Sequence, residues 1–259
     1  MNRLYFILIV FLFSSCEKVI DLDLAKMEPK IVIESFLTDL STRHTVAIST
    51  TIDFDSENTK VPVSNATVVL KTGGGLTINF TEQTPGNYLS PRYRGVPGEK
   101  YTLTVTVNGK SYSATSIMPL PVPIKALEQI EVSFFRESRK AVQITYKDPV
   151  VLANFYNNRV FVNNVKRPTY YLESDRFTDG KEVKNTLYID EPDLAIGDVV
   201  RVQMLTIDEN VYKFLFSITQ ISGNGGPPTT PANPNSNFNN GALGYFSAST
   251  SSEASITIQ

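Results

Sequence analysis

Short apolar or alternating runs, separated by turn residues, recur along most of the chain and constrain its fold more than any other feature. Runs of this length and alternation predict β-strands that are half-buried in antiparallel sheets. The predicted strands of the first half are 31–37, 45–51, 66–71, 76–80, 101–107 and 111–117. Their spacing favours a small antiparallel β-sandwich over residues 31–119.

Two turns support this arrangement. Asn108 and Gly109 separate two alternating runs, and this pair is preferred in type I′ hairpins because both positions need positive φ. Gly73, Gly74 and Gly75 predict a second hairpin. A phosphate-binding loop is the alternative for these glycines, but no lysine followed by serine or threonine comes after them and no helix begins there.

The second half is also rich in predicted strands, and it follows a segment of alternating prolines. Pro119, Pro121 and Pro123 remove backbone donors and favour extended geometry. They predict a domain boundary, with a second β-rich domain over residues 120–259. Its predicted strands are 127–135, 141–146, 155–162, 169–172, 186–189, 199–207, 244–249 and 255–259.

One helix interrupts these strands. Apolar residues at helical spacing predict it over residues 209–222, with Asp208 as its N-cap and Gly223 as its stop. Glycine, proline and asparagine then crowd residues 223–240, which predicts a long loop. The predicted fold class is therefore all-β, with an N-terminal sandwich and a second β-rich domain that carries one helix.

The N-terminus has the order of a bacterial lipoprotein signal peptide. Arg3 precedes an apolar run over residues 4–13, and two serines then precede Cys16. The run has about ten residues, against the roughly 20 that cross a bilayer as a helix. Small residues directly before a cysteine resemble a lipobox, which implies removal of residues 1–15 and acylation of Cys16. An ordinary secretory signal with an incidental cysteine is the alternative.

Lipid on Cys16 would hold the protein at a membrane. Each buried CH₂ adds roughly 0.8 kcal/mol of membrane affinity, so several acyl chains make a durable anchor. Residues 16–30 mix charges with isolated aliphatic residues, and they predict a tether between the anchor and the body. No cofactor is predicted apart from this covalent lipid.

Composition and charge exclude several classes of partner and site. A net charge of -2 and a pI near 5.6 give no positive field to attract nucleic acid. Cys16 has no second cysteine to pair with, and His44 is the sole histidine. A disulfide scaffold and a zinc site are therefore excluded on the sequence.

Carboxylates at alternate positions form the candidate metal site of the sequence. Asp53, Asp55 and Glu57 would point to one side of an extended segment, as a calcium site requires. The EF-hand pattern fails because its glycine is missing, so solvated loop carboxylates are the competing interpretation. Asp179 with Gly180 predicts a turn.

Pairs of neighbouring aromatic residues suggest a binding surface. The pairs are Phe134 with Phe135, Phe155 with Tyr156, and Tyr170 with Tyr171. Each pair puts one ring on either face of a strand, and an exposed ring can stack on a sugar or contact a partner. Coverage of both faces is the alternative. The candidate ligand-binding residues are Tyr170, Tyr171 and, in the long loop, Phe238 and Asn239.

The sequence lacks the motif of serine hydrolases. It contains no Gly-x-Ser-x-Gly segment, and His44 is the single candidate base for a serine nucleophile. Two carboxylates that meet in space could still hydrolyse glycosides. We therefore predict a protein that is not an enzyme, with a carboxylate-type hydrolase as the remaining alternative.

Four segments together carry a family resemblance. An alternation of acids and aliphatics follows Cys16 and Glu17, residues 29–39 read PKIVIESFLTD, residues 84–88 read TPGNY, and residues 240–246 read NGALGYF. These segments resemble an uncharacterised lipoprotein family of Bacteroidota, catalogued as domain of unknown function 4249 (DUF4249). The resemblance spans nearly the whole mature chain.

The resemblance implies a cell-envelope lipoprotein, often encoded beside TonB-dependent outer-membrane receptors, with an immunoglobulin-like or carboxypeptidase-regulatory-like first domain. It carries over no active-site residue. We expect a surface-exposed lipoprotein of the outer membrane that acts as a binding or accessory subunit of a TonB-dependent transporter, a β-barrel receptor. The alternatives are a stand-alone carbohydrate-binding or adhesive module and an envelope hydrolase.

Overall fold

The computed structural model describes residues 28–52, 60–134, 137–150, 152–189, 192–221 and 234–259. In this part of the chain, β-strands dominate and one α-helix is present. The predicted all-β class with one helix is confirmed. Among the helices of the described residues, none is both long enough and apolar enough to span a bilayer.

The first nine strands follow the alternation of the sequence. They are β1 (Ile31–Thr38), β2 (Thr42–Thr50), β3 (Val61–Pro62), β4 (Thr67–Thr72), β5 (Thr77–Asn79), β6 (Thr81–Thr84), β7 (Asn87–Tyr93), β8 (Lys100–Val107) and β9 (Lys110–Ile117). In β8, Tyr101, Leu103 and Val105 are buried while the threonines between them are half-buried. The predicted hairpin between β8 and β9 is confirmed, with φ of 48° at Asn108 and 78° at Gly109.

The remaining strands and the helix lie beyond the proline segment. The strands are β10 (Ile124–Phe134), β11 (Glu137–Lys147), β12 (Phe155–Val162), β13 (Val165–Lys166), β14 (Tyr171–Ser174), β15 (Glu182–Leu187), β16 (Val199–Ile207) and β17 (Leu243–Thr257). A short 3-10 helix spans Asp175–Phe177, and the α-helix, α1, spans Glu209–Ile221. The helix thus begins at the predicted residue, whereas its predicted last residue, Ser222, and its predicted stop, Gly223, lie outside the described residues.

These strands form three sheets around two main cores. The large sheet has the order β13-β12-β16-β17-β1-β2-β7-β6, with β14 beside β12 and β3 beside β2. The first core joins β1, β2 and β7 of this sheet to the four-stranded sheet β5-β4-β8-β9. The second core joins β12 and β16 to the three-stranded sheet β10-β11-β15. Both cores are sandwiches, and α1 covers part of the outer face of the large sheet.

Strand β17 connects the two sandwiches. Its first part pairs in parallel with β1, from Val32 opposite Leu243 to Thr38 opposite Ser249. Its second part pairs antiparallel with β16. The sequence predicted two separate strands, 244–249 and 255–259, because the serine-rich stretch between them lacks apolar residues. The structure shows one strand, and the large sheet therefore continues past the proline segment.

The sequence missed β6 and β7. Pro91 makes the segment NYLSPRY an unfavourable strand candidate, because proline has no backbone N–H to donate to a neighbouring strand. In the structure the register between β2 and β7 shifts between Arg43 and Thr45, and Pro91 lies opposite this irregularity. A backbone donor is not needed there, so the strand tolerates the proline.

Asp208 links the helix to both sandwiches. Its Oδ1 accepts a hydrogen bond of 3.0 Å from the backbone N–H of Val211, which confirms it as the N-cap of α1. Its Oδ2 accepts a hydrogen bond from the Ser116 hydroxyl of β9, and the Ser116 oxygen accepts the backbone N–H of Ala248 in β17 at 2.9 Å. Burial raises the pKa of Asp208 above its usual value.

Replacing Asp208 with alanine is expected to lower the free energy of unfolding by about 2–4 kcal/mol, because the helix loses its cap and buried Ser116 loses an acceptor. Urea unfolding measures the loss. Asp208→Asn keeps an oxygen for the cap and should lose less. Glu209→Ala is the matched control, since this exposed acid forms only a surface pair with Lys213. A similar loss in both alanine variants would contradict the linking role.

Candidate functional site

Several predicted site residues lie outside the described part of the chain. Cys16 precedes residue 28, and Asp53, Asp55 and Glu57 fall within residues 53–59. Lipidation of Cys16 therefore stays a prediction, and so does the assignment of the three acids as solvated loop carboxylates, with a metal site as the alternative.

Two of the three aromatic pairs have described side chains, and these are mostly covered, whereas the side chains of Phe134 and Phe135 lie outside the described part. Phe155 contacts Tyr212 of α1, with ring centroids 4.9 Å apart, while Tyr156 on the opposite face is buried in the second core. Tyr171 packs against the same core and donates a hydrogen bond to the Tyr188 carbonyl. Tyr170 keeps 37% of its surface exposed. Within the described pairs, Tyr170 is thus the ring that remains accessible to a ligand.

Phe238 and Asn239 attach the end of the long loop to the first sandwich. Phe238 is 7% exposed and belongs to the first core. Its backbone forms a β-bridge with Ala114 on β9. Asn239 accepts the backbone N–H of Ser113 through Oδ1 at 2.7 Å and donates its own N–H to the Ser113 carbonyl at 3.0 Å. These contacts cover the edge of the four-stranded sheet and give both residues a packing role.

His44 is buried in the irregular part of the β2–β7 pairing. Its Nε2 donates to the Tyr93 carbonyl over 2.8 Å, and its backbone N–H donates to the Ser90 hydroxyl over 2.9 Å. Burial lowers the pKa of His44, against the smaller raising effect of the Tyr93 bond. These contacts hold the two strands together at the irregularity, which is a structural task for the ring.

Three aspartates meet at one place in the second half. Asp148 directly follows β11, Asp175 opens the 3-10 helix, and Asp179 lies in the turn after it. One carboxylate oxygen from each lies within 4.8 Å of the others. Among the described residues, this aspartate cluster is the group of acids placed to share a metal ion.

Backbone hydrogen bonds fix this geometry. The Asp148 N–H donates to the Lys181 carbonyl at 2.9 Å, which joins the end of β11 to the turn. The Asp175 Oδ2 accepts the Asn154 N–H at 2.8 Å. The Asp175 carbonyl accepts the N–H groups of Thr178 and Asp179. The three carboxylates are therefore carried by backbone that is already positioned.

The cluster has an unfavourable charge balance. Asp148 is completely buried, and burial raises its pKa, with further raising by the negative charges of Asp175 and Asp179. The Tyr156 hydroxyl donates a hydrogen bond to Asp148 Oδ1 at 2.5 Å, and this bond lowers the pKa of Asp148. Burial also raises the pKa of Tyr146, helped by Glu173 and Asp148. The region therefore concentrates negative charge in a poorly hydrated place.

Little in the sequence indicates this cluster. Asp179 with Gly180 was predicted as a turn, and the structure confirms it, with φ of 71° at Gly180. Asp148 follows a strand as a lone acid, and 27 positions separate it from Asp175. The one sequence feature that indicates the site is an acid, Asp148, at the end of a buried strand. Only the fold brings it together with Asp175 and Asp179.

Comparisons with known proteins yield one result. The family model described as Domain of unknown function (DUF4249) matches residues 17–255. No curated protein matches the chain.

Proposed function

We propose that this chain, which belongs to the DUF4249 family, is a lipid-anchored binding protein of the cell envelope. The observation that carries the proposal is Cys16, which follows two serines and an apolar run too short to span a bilayer. The described body begins at residue 28, and β1 begins at Ile31. A short tether would therefore join the acylated cysteine to the start of β1.

The direction of β17 supports a defined orientation for the tethered body. β17 runs parallel to β1, starts beside Val32, and continues from Thr250 to Thr257 after β1 has ended. At about 3.3 Å per residue, this extension covers roughly 26 Å. The second sandwich therefore lies at the end of the body farther from the tether, where it would face away from the membrane.

Exposed apolar side chains at that far end favour a binding role. Val165, Ile196 and Val199 are all exposed. All three lie near the C-terminal end of β17. Val199 pairs with Thr257, the residue after Ile196 donates to the Ile258 carbonyl, and Val165 pairs with Val162, the partner of Val200. Exposed apolar side chains that gather at one end of a body offer contacts to another protein.

The partner that we propose is an outer-membrane β-barrel receptor of the TonB-dependent class. The family resemblance motivates this choice, and the lipid supplies the mechanism. An anchor that confines the body to two dimensions raises its effective concentration beside a barrel in the same membrane. Affinity purification of the native lipidated protein from detergent extracts should recover such a barrel, and repeated failure to recover one would contradict the accessory role.

The alternatives have less support in the structure. Sugar binding through paired aromatic residues would depend on Tyr170, since Tyr171 is engaged with the Tyr188 carbonyl. A glycosidase needs two carboxyl groups that both reach the sugar. Asp148, the central acid of the aspartate cluster, is completely buried. Glycan-array binding that is lost in Tyr170→Ala would favour the sugar-binding alternative.

Replacing Cys16 with alanine tests the anchor directly. Without its thiol the chain cannot be acylated, so the protein should leave the membrane fraction almost completely. Cell fractionation followed by mass spectrometry of the mature N-terminus measures both effects. Ser15→Ala is the matched control, because it keeps a small residue before the cysteine and should leave lipidation intact. A wild-type N-terminus without acyl chains, or release of the wild type from the membrane fraction, would refute the proposal.

A further inference from the structure

We propose that Asp148, Asp175 and Asp179 bind a calcium ion. The site joins the end of β11, in the three-stranded sheet, to the turn at residues 175–181, which follows β14 of the large sheet. It goes beyond the proposed envelope function and does not depend on the lipid anchor. The proposal rests on the arrangement of the carboxylate oxygens and on one buried oxygen that lacks a partner.

The unpartnered oxygen is Oδ2 of Asp148. This side chain has no exposed surface, and among the described residues Oδ2 has no hydrogen-bond partner, whereas Oδ1 accepts from Tyr156. A buried carboxylate oxygen that leaves water without a new partner costs free energy. A cation between Asp148 and the two other aspartates would offset this cost, because it supplies the missing partner.

The two basic side chains of the turn both contact Phe177. Lys181 Nζ donates to the Phe177 carbonyl at 3.0 Å, and the Arg176 guanidinium lies over the Phe177 ring, 5.4 Å from its centroid. The neighbouring Glu173 accepts from the amide of Asn185 at 2.9 Å, so that carboxylate is satisfied by a neutral group. The charged residues that act on the Asp148 carboxyl, Asp175 and Asp179, are both negative. The cluster therefore presents a charge that an external divalent cation can neutralise.

The donor atoms indicate calcium. All three ligands are carboxylate oxygens, which hard cations prefer over zinc or copper. Calcium–oxygen bonds of about 2.4 Å allow ligand oxygens up to about 4.8 Å apart, and the three carboxylate oxygens lie within this distance of one another. Calcium also accepts flexible coordination geometry, whereas magnesium demands a near-ideal octahedron. The exposed side of Asp179 leaves room for the water ligands that complete the larger calcium shell.

Calcium should stabilise the fold measurably. The full chain is purified in detergent, freed of metal with EDTA, and heated with or without CaCl₂ while its unfolding is recorded. At a hundredfold excess over the dissociation constant, the midpoint should rise by about 5 °C or more. A parallel titration uses terbium, a luminescent calcium substitute that tyrosine can sensitise. The chain has no tryptophan, and Tyr156 lies beside the site.

Two variants and a control decide the result. Asp148→Asn should abolish both the calcium shift and the terbium signal. Asp179→Asn changes an exposed residue, so it should fold normally and lose most of the shift. Glu128→Gln, which changes an exposed acid on β10 outside the cluster, should keep it. No shift in the wild type, or an undiminished shift in both aspartate variants, would overturn the site. An equal shift with MgCl₂ would overturn the assignment to calcium.

Discussion

Replacing Gly244 with alanine is expected to lower the free energy of unfolding by about 2–5 kcal/mol. Gly244 has φ of 90°, where an L side chain costs roughly 1–2 kcal/mol. A Cβ at this position would lie 2.0 Å from the Ile33 carbonyl oxygen and 2.8 Å from its carbon. Both contacts are with backbone, so β1 and β17 would have to move apart, and such overpacking typically costs another 1–3 kcal/mol.

Gly98→Ala is the matched control for Gly244→Ala. Its φ of 83° is nearly the same, but a Cβ there would meet no atom within 4 Å. The control should therefore lose only the free energy that a side chain costs at positive φ. The difference between the two variants in the free energy of unfolding, measured with urea, then gives the cost of the Cβ clash between β1 and β17. Equal losses would show that β1 and β17 separate without cost at this position.

The position of Gly244 explains why the effect matters for the whole body. It pairs with Ile33, a completely buried residue of the first core. The same strand continues along β16, whose inner face belongs to the second core. Since β17 supports both sandwiches, a displaced β17 should reduce the stability of both, and the far end of the proposed binding body would lose its support.

Local patterns in the sequence predict the strands and turns well where one physical signal dominates. The alternation in β8 and the Asn108–Gly109 pair between β8 and β9 are both determined by neighbouring residues, and the structure agrees with both. The N-cap at Asp208 is local in the same sense. These features need no knowledge of distant contacts.

Contacts across the fold account for what the sequence did not predict. Ser247 and Ser249 are completely buried in β17, although serine gives no apolar signal. Their burial follows from their pairing with β1, where Ser247 lies opposite Phe36 and Ser249 opposite Thr38, and only the sheet order reveals this. The aspartate cluster is hidden for the same reason, because Asp148 and Asp175 become neighbours only after the sheets have assembled.

The long loop shows a related limit. Its composition predicted contact residues at Phe238 and Asn239, since loops bind ligands more often than strands do. The structure instead places these two residues against the edge strand β9, where Asn239 satisfies both backbone groups of Ser113. Covering an exposed edge prevents it from pairing with another chain. A composition rich in glycine, proline and asparagine cannot distinguish these two uses.

Phe238→Ala should therefore destabilise the protein by about 3–5 kcal/mol, the usual cost of removing a buried phenylalanine side chain. Phe238 belongs to the first core with 7% of its surface exposed. Its loss should also release Asn239 from Ser113 and uncover β9. Urea unfolding measures the energy, and hydrogen exchange at the Ser113 amide reports the release of the edge.

Phe177→Ala provides the comparison, because it removes the same side chain from a position that is 78% exposed. This variant should change the free energy of unfolding by less than about 0.5 kcal/mol. If Phe238→Ala changed the free energy of unfolding as little as Phe177→Ala, the Phe238 ring would not stabilise the first core. It could then contact a ligand, as the loop composition predicted. A loss confined to Phe238→Ala, with faster exchange at Ser113, would instead assign the ring to the sheet edge and leave ligand contact to the far end of the second sandwich.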